Sequence, residues 1–174
     1  MLTVVYVVVA VIVVVLILAA AKPDVFKVER STDIKAAPDK IFALIDDFHH
    51  WAAWSPWEKL DPAMMRSFSG PASGKGAAYA WEGNKKVGKG AMEITDLTVP
   101  EKIVIKLDFF IPFEAHNTTV FTLTRNGEIT SVNWLMSGPA SFMVKIMHVF
   151  MNMDKMVGKD FAAGLANLKA VAEK

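Results

Sequence analysis

Three hydrophobic rhythms follow one another along this chain. The first is unbroken: positions 2–21, LTVVYVVVAVIVVVLILAAA, carry no charge, and only Thr3 and Tyr6 add any polarity. At about 1.5 Å rise per residue, such a run reaches about 30 Å, the thickness of a bilayer's hydrocarbon core. Its nine valines are modest helix formers in water. In lipid the backbone must satisfy its own hydrogen bonds, so a single spanning segment has to be helical. A buried soluble helix of this length would show a polar face, and none is present. The pattern predicts a transmembrane helix over 2–21 and a short linker over 22–25.

The second rhythm is alternation. FKVERSTDI (26–34) alternates apolar and polar residues as a half-buried strand does. A helical break follows at Ala37-Pro38-Asp39, where proline suits the first helical position and aspartate the positive dipole end. Ile41, Phe42, Leu44 and Ile45 give this short helix its apolar face. From Trp57 to Gly138 strand and turn signals return: WEKLDPAMMRSF interrupted at Pro62, AAYAWEG, VGKGAMEITDLTV, KIVIKLDFF, FEAHNTTVFTLTR and EITSVNWLMSG. Asn126-Gly127 between the last two is a strong hairpin signal. Consecutive hairpins imply an antiparallel sheet.

The last rhythm has helical period. Phe142, Ile146, Phe150, Met153, Val157, Phe161, Leu165, Leu168 and Ala172 recur at spacings of three and four, predicting one long helix with a kink or break near Gly158. A sheet of six or seven strands curled around this helix buries both apolar faces at once. The fold class is therefore α+β, with one domain over 26–174 beyond the membrane helix; about 150 residues are ample for a core.

Charge and composition narrow the picture. Nineteen basic residues against eighteen acidic leave a net +1, without the basic stripe that nucleic acid requires. No cysteine occurs, which excludes disulfides, thiolate metal sites and a cysteine nucleophile. Ala19-Ala20-Ala21 fits the small-x-small pattern before a signal cleavage point, so export after cleavage is one alternative. The long apolar run with no Lys or Arg ahead of it favours an uncleaved single-pass anchor. Lys22, Lys27 and Arg30 after the span place the soluble domain on the cytoplasmic side.

ERSTDIKAAPDKIFALIDDFHHWAAWSPW resembles the opening of the START/Bet v 1-like (SRPBCC) superfamily, in its polyketide cyclase/dehydrase-type branch. A strand, an alanine-proline, a short helix and a tryptophan-rich turn recur there, and MVGKDFAAGLANLKAVAEK is similar to that branch's helical ending. The resemblance covers about residues 26–174. It implies a helix-grip fold with an apolar cavity between sheet and helix, used by members to bind lipids, sterols or polyketides and in some cases to cyclise them.

Candidate chemistry is sparse. His49 and His50 are adjacent and so point apart on any regular element, and no second histidine stands at metal-ligand spacing; no metal or cofactor site is predicted. Asp108 and His116 are the only titratable strand candidates, and alternation points both outward. Trp51, Trp54 and Trp57 would wall one end of the sheet–helix space. Alternation places Tyr79 and Trp81, Met92 and Ile94, Ile105, Leu107 and Phe109, then Ala115, Asn117, Thr119 and Phe121, and finally Val132, Trp134 and Met136 on the concave face. Asn117 and Thr119 among aromatics resemble the few polar groups of a small-molecule cleft. Methionines on the last helix pack adaptably. The candidate ligand-binding set is Trp54, Trp57, Tyr79, Trp81, Met92, Phe109, Asn117, Thr119, Trp134, Met147 and Met151. No catalytic residue is nominated.

Three functions compete. The leading expectation is a membrane-anchored protein that binds a hydrophobic small molecule or lipid. A cyclase or dehydratase would need a titratable group with a perturbed pKa inside the cavity. A ligand-free interaction module, like the co-chaperones of related fold, would have no cleft of roughly 300 Å³ or more.

Overall fold

The computed structural model describes residues 2–174 and carries the expected α+β architecture. Helix α1 (Leu2–Ala20) precedes β1 (Val25–Ile34), α2 (Pro38–Ile45), two 3-10 turns (Phe48–Ala53 and Pro56–Lys59) and six more strands. These are β2 (Met65–Ser69), β3 (Ala78–Glu82), β4 (Lys89–Thr98), β5 (Lys102–Ile111), β6 (Ala115–Asn126) and β7 (Ile129–Pro139). All neighbours pair antiparallel, in the order β1-β7-β6-β5-β4-β3-β2. Helices α3 (Phe142–Phe150) and α4 (Met153–Ala172) close the chain.

One sheet face is covered by α2, the tryptophan turn and α4. Val28, Ile34, Ile94, Ile103, Ile105, Phe121, Val132 and Trp134 bury that face against Ile41, Ile45, Phe161, Leu165 and Leu168. Polar ties fix α4 along its length: Arg30 grips Asp154 at 2.8 Å, Asn167 donates to the Trp54 carbonyl at 3.0 Å, and Lys169 donates to that of Asp33 at 2.7 Å. Glycine lets the helix come close, since a Cβ at Gly164 would press on the Trp134 ring and Pro56.

Three elements differ from the sequence reading. The terminal helix breaks at Met151-Asn152, before Gly158: Met151 is extended, and the Asn152 side chain accepts from Lys155 N–H and starts α4 afresh. The periodicity runs unbroken through two helices because both are amphipathic, yet α4 packs on β1 and α3 on α1. Trp57 lies in a 3-10 turn, and the strand expected from it begins only at Met65, after Asp61 has accepted from Ala63 N–H in a side-chain turn. At the last hairpin the paired ends are Asn126 and Ile129, so the turn residues are Gly127-Glu128. Gly127, at φ +66°, takes the first central position, where a II′ turn wants glycine.

Candidate functional site

Cross-strand register builds the site in rows. Phe26 of β1 faces Gly138, which flanks Asn117; the row continues through Leu107 and Met92 to Tyr79. Gly138 is required here, because a Cβ would collide with the Asn117 amide and the Phe26 ring. The next row inward holds Val28, Met136, Thr119, Ile105 and Ile94. One step outward, Trp81 lies over Gly90 beside Phe109, its ring edge-on to that phenylalanine at 5.8 Å.

Burial grades these rows. Thr119 is 2% exposed and Asn117 7%, so neither meets water at a rim. The Thr119 hydroxyl and the Trp134 indole N–H are buried with no hydrogen-bond partner among the described residues. Such groups ordinarily find partners, and leaving one bare costs about 1–3 kcal/mol. Trp81, Leu107 and Phe109 stay half-buried where the sheet extends past the covering helices.

The tryptophan turn is chiefly a packing device. Trp51 and Trp54 hand their indole protons to the Ile45 and Leu44 carbonyls at 2.9 Å, joining the turn to the end of α2. Trp54 is fully buried against Trp51, Phe121 and Trp134. Trp134 stacks flat on Phe161 at 4.0 Å, with Trp57 edge-on to both. The gap expected beneath the terminal helix is thus filled at this level. Space opens instead beside it: a cleft of about 660 Å³ lies between Lys22–Lys27 and the α3–α4 junction, lined by Phe26, His148, Phe150, Met151 and Met153 among others.

The predicted residues therefore divide. Tyr79, Trp81, Met92, Phe109, Asn117, Thr119 and Trp134 share the concave face, with Trp57 at its edge and Trp54 behind it in the core. Met151 lines the cleft, and Met147 sits half-buried on α3. Phe26 joins the two regions: it lies against Gly138, as the Asn117 amide also does, and on the other side meets the His148 ring edge-on at 5.9 Å. Neither Phe26 nor His148 was singled out from sequence, although the alternation of β1 already placed Phe26 on the face of Val28. Burial and the Lys22 charge hold the His148 pKa below its usual range, favouring the neutral ring.

Two polar clusters lie apart from the cleft. Glu58 accepts from Tyr79 Oη at 2.6 Å and pairs with Arg66 at 2.7 Å; burial first, then Glu58, raises the Tyr79 pKa, so its hydroxyl stays protonated and engaged. Arg66 and Arg30 each reach a carboxylate of another element. On the opposite sheet face Asp108 meets Lys106 and His116, each at 2.8 Å. Desolvation pushes the Asp108 pKa up, but bonds from Lys106 and His116 outweigh it and leave the group below its usual value. His49 bonds Asp47 at 2.7 Å and His50 meets the Ala43 carbonyl at 2.8 Å, so the histidine pair serves the turn.

The profile of the family described as polyketide cyclase / dehydrase and lipid transport matches residues 25–173. No curated protein matches the chain. Among solved structures, the ginseng (Panax ginseng) major latex-like protein 151 is 14% identical, with a TM-score of 0.63 over 86% of this chain and 99% of its own. The Aha1 dimer from Colwellia psychrerythraea is 18% identical, with 0.62 over 85% and 96%. The di-domain aromatase/cyclase BexL of the BE-7585A biosynthetic pathway is 15% identical, with 0.62 over 90% of this chain and 53% of its own. At these identities the likeness is one of fold.

Proposed function

Since the chain belongs to the polyketide cyclase / dehydrase and lipid transport family, we propose that it is a membrane-tethered binding protein for a hydrophobic small molecule or lipid. The observation that carries this reading is the cleft of about 660 Å³ that abuts Phe26, within the range of small-molecule sites and about twice their lower bound. Phe26, Phe150, Met151 and Met153 share its lining with Lys22, Lys27, His148, Asn152 and Asp154, and the row from Phe26 to Asn117 leads from its wall toward the bare Thr119 hydroxyl. A ligand bearing one hydroxyl or carbonyl on an apolar body fits that chemistry: the body lies along Phe26, Met151 and Met153, and the polar end is directed along the row toward Asn117.

The helix α1 supplies the tether. It is long and apolar enough to cross a bilayer, at a mean hydropathy of 3.2 over Thr3–Ala20, and only 6% of that window is buried. Among the described residues of the concave face, the Tyr79 hydroxyl is engaged by Glu58, the Thr119 hydroxyl has no base bonded to it, and Asp108 and His116 lie on the other face; His148 lines the cleft with no carboxylate bonded to its ring. Binding and presentation therefore account for the site better than cyclisation. The test is mass spectrometry of lipids and small molecules carried by full-length protein purified in amphipol. A specific apolar species should accompany the wild type at near-stoichiometric amount and be depleted in Asn117→Leu; a wild type carrying only bulk membrane lipid in the proportions of its host membrane would count against the proposal.

A further inference from the structure

Helix α3 is an apolar helix that the rest of the domain only half covers. Seven of its nine residues, FMVKIMHVF, are apolar, yet none is buried, and Phe142, Met143 and Phe150 are 51%, 67% and 72% exposed. Its main partner is α1. On α1 the covered positions are Ala19, fully buried, and Val15, half-buried, four residues apart on one face at the C-terminal end. Lys145 in the middle of α3 is held at 2.6 Å by Asp24 of the linker, and Ala140 N–H bonds the Asp24 carbonyl at 2.8 Å. So α3 is pinned beside the last turns of the membrane helix, about 6 Å of helix length from its end.

A second, independent group of apolar residues lies at the same end of the sheet. Register places the start of β1, the end of β7, the end of β5 and the start of β6 together. The β5–β6 tip there exposes Phe110, Ile111 and Phe113, the last 67% exposed. With strands about 4.8 Å apart, this tip stands about 14 Å across the sheet from β1. The neighbouring β3–β4 tip offers Lys85 and Lys86, and Lys22 and Lys27 flank the linker. The opposite strand ends expose Val99 and Ile129 singly, among charges of both signs: Glu101 and Lys102, Arg125 and Glu128.

Apolar side chains rimmed by lysines mark an interaction surface, and continuity with α1 decides what covers it. We propose that α3 and the Phe110–Phe113 tip are seated in the headgroup and upper acyl region of an anionic bilayer, holding the domain down on the membrane. Interfacial helices sit about 5–10 Å into that boundary, the depth at which α3 meets α1. The cleft between the linker and the α3–α4 junction then opens at the lipid surface, so an apolar ligand enters it from the bilayer without crossing water. This rests on the reading of α1 as a membrane tether.

The native chain lacks cysteine, so single reporters are straightforward. Phe113→Cys, Phe150→Cys, Ile129→Cys and Val9→Cys, each labelled with the fluorophore NBD in the full chain, are placed in nanodiscs of mixed phosphatidylcholine and phosphatidylglycerol. Quenching by phosphatidylcholine spin-labelled near the headgroup should be several-fold stronger at 113 and 150 than at 129, while 9 responds to a label deep in the chain. Positions 113 and 150 as unquenched as 129, with 9 quenched, overturn the proposal and leave the tether standing. An unquenched position 9 overturns the tether and this proposal with it. Shielding of 150 from both lipid label and aqueous iodide puts a protein on α3 and overturns it as well.

Discussion

Replacing Phe161 by alanine removes the ring on which α4 closes against the sheet. Phe161 is 2% exposed, stacks on Trp134 at 4.0 Å with planes 10° apart, and meets Trp57 edge-on at 6.0 Å. Phe-to-Ala changes in cores cost about 3–5 kcal/mol, with aromatic pairing supplying about 0.5–1.5 kcal/mol beyond area. Collapse into the void is resisted here. Trp134 is held on β7, paired on both sides by β1 and β6, and α4 is tied by Arg30, Asn167 and Lys169. The expected loss is therefore in the upper half of that range, about 4 kcal/mol. Urea unfolding of the detergent-solubilised full chain, followed by tryptophan fluorescence, measures it. Phe150→Ala is the control: at 72% exposure it should change stability by no more than about 0.5 kcal/mol. A loss below about 1 kcal/mol for Phe161→Ala would mean that α4 does not clasp the sheet as described.

Three further changes probe other parts of the structure. Gly138→Ala drives a methyl into the Asn117 amide and the Phe26 ring; overpacking should cost about 1–3 kcal/mol in the same unfolding assay and deplete any co-purifying ligand. Glu58→Ala strips the acceptor from Tyr79 and Arg66 together, so it should cost about 1.5–3 kcal/mol, more than Tyr79→Phe, which leaves the Glu58–Arg66 pair intact. His116 titrates above its ordinary value of 6.5 because the Asp108 carboxylate bonds its protonated ring. Its stabilising contribution is thus full below about pH 6.5 and lost as pH rises through the raised folded value; the stability gap between wild type and His116→Ala should close over that rise, and a gap unchanged across it would contradict the pairing.

Alternation made most of the concave face legible. The inner sets of β3 to β7 were readable residue by residue because one sheet face is dry and the other wet, so period two survives in the sequence. The tryptophan turn was legible for a related reason: Trp51 and Trp54 are three apart on one helical turn, and both are buried. What period alone could not carry was the choice of partner. The apolar spacing of α3 continues that of α4 almost in phase, although one helix faces α1 and the other the sheet; the break is signalled only by Asn152 as a cap with Asp154 in the first turn. The cleft beside Phe26 was not legible for the same reason. A helix assumed continuous would cover Phe26 and the β1 end, whereas the turn at Met151 exposes them. The Glu58–Tyr79–Arg66 cluster joins residues up to 21 positions apart through a 3-10 turn that reads locally as strand.

Photolabelling with a diazirine fatty acid tests the central claim most directly. Full-length protein in nanodiscs is irradiated with the probe, digested, and mapped by mass spectrometry. The account predicts adducts on Phe26 and on Met151 or Met153, reduced several-fold by Gly138→Ala, alongside the background on α1. Labelling confined to α1, with the β1 and α3–α4 peptides clean, would contradict it.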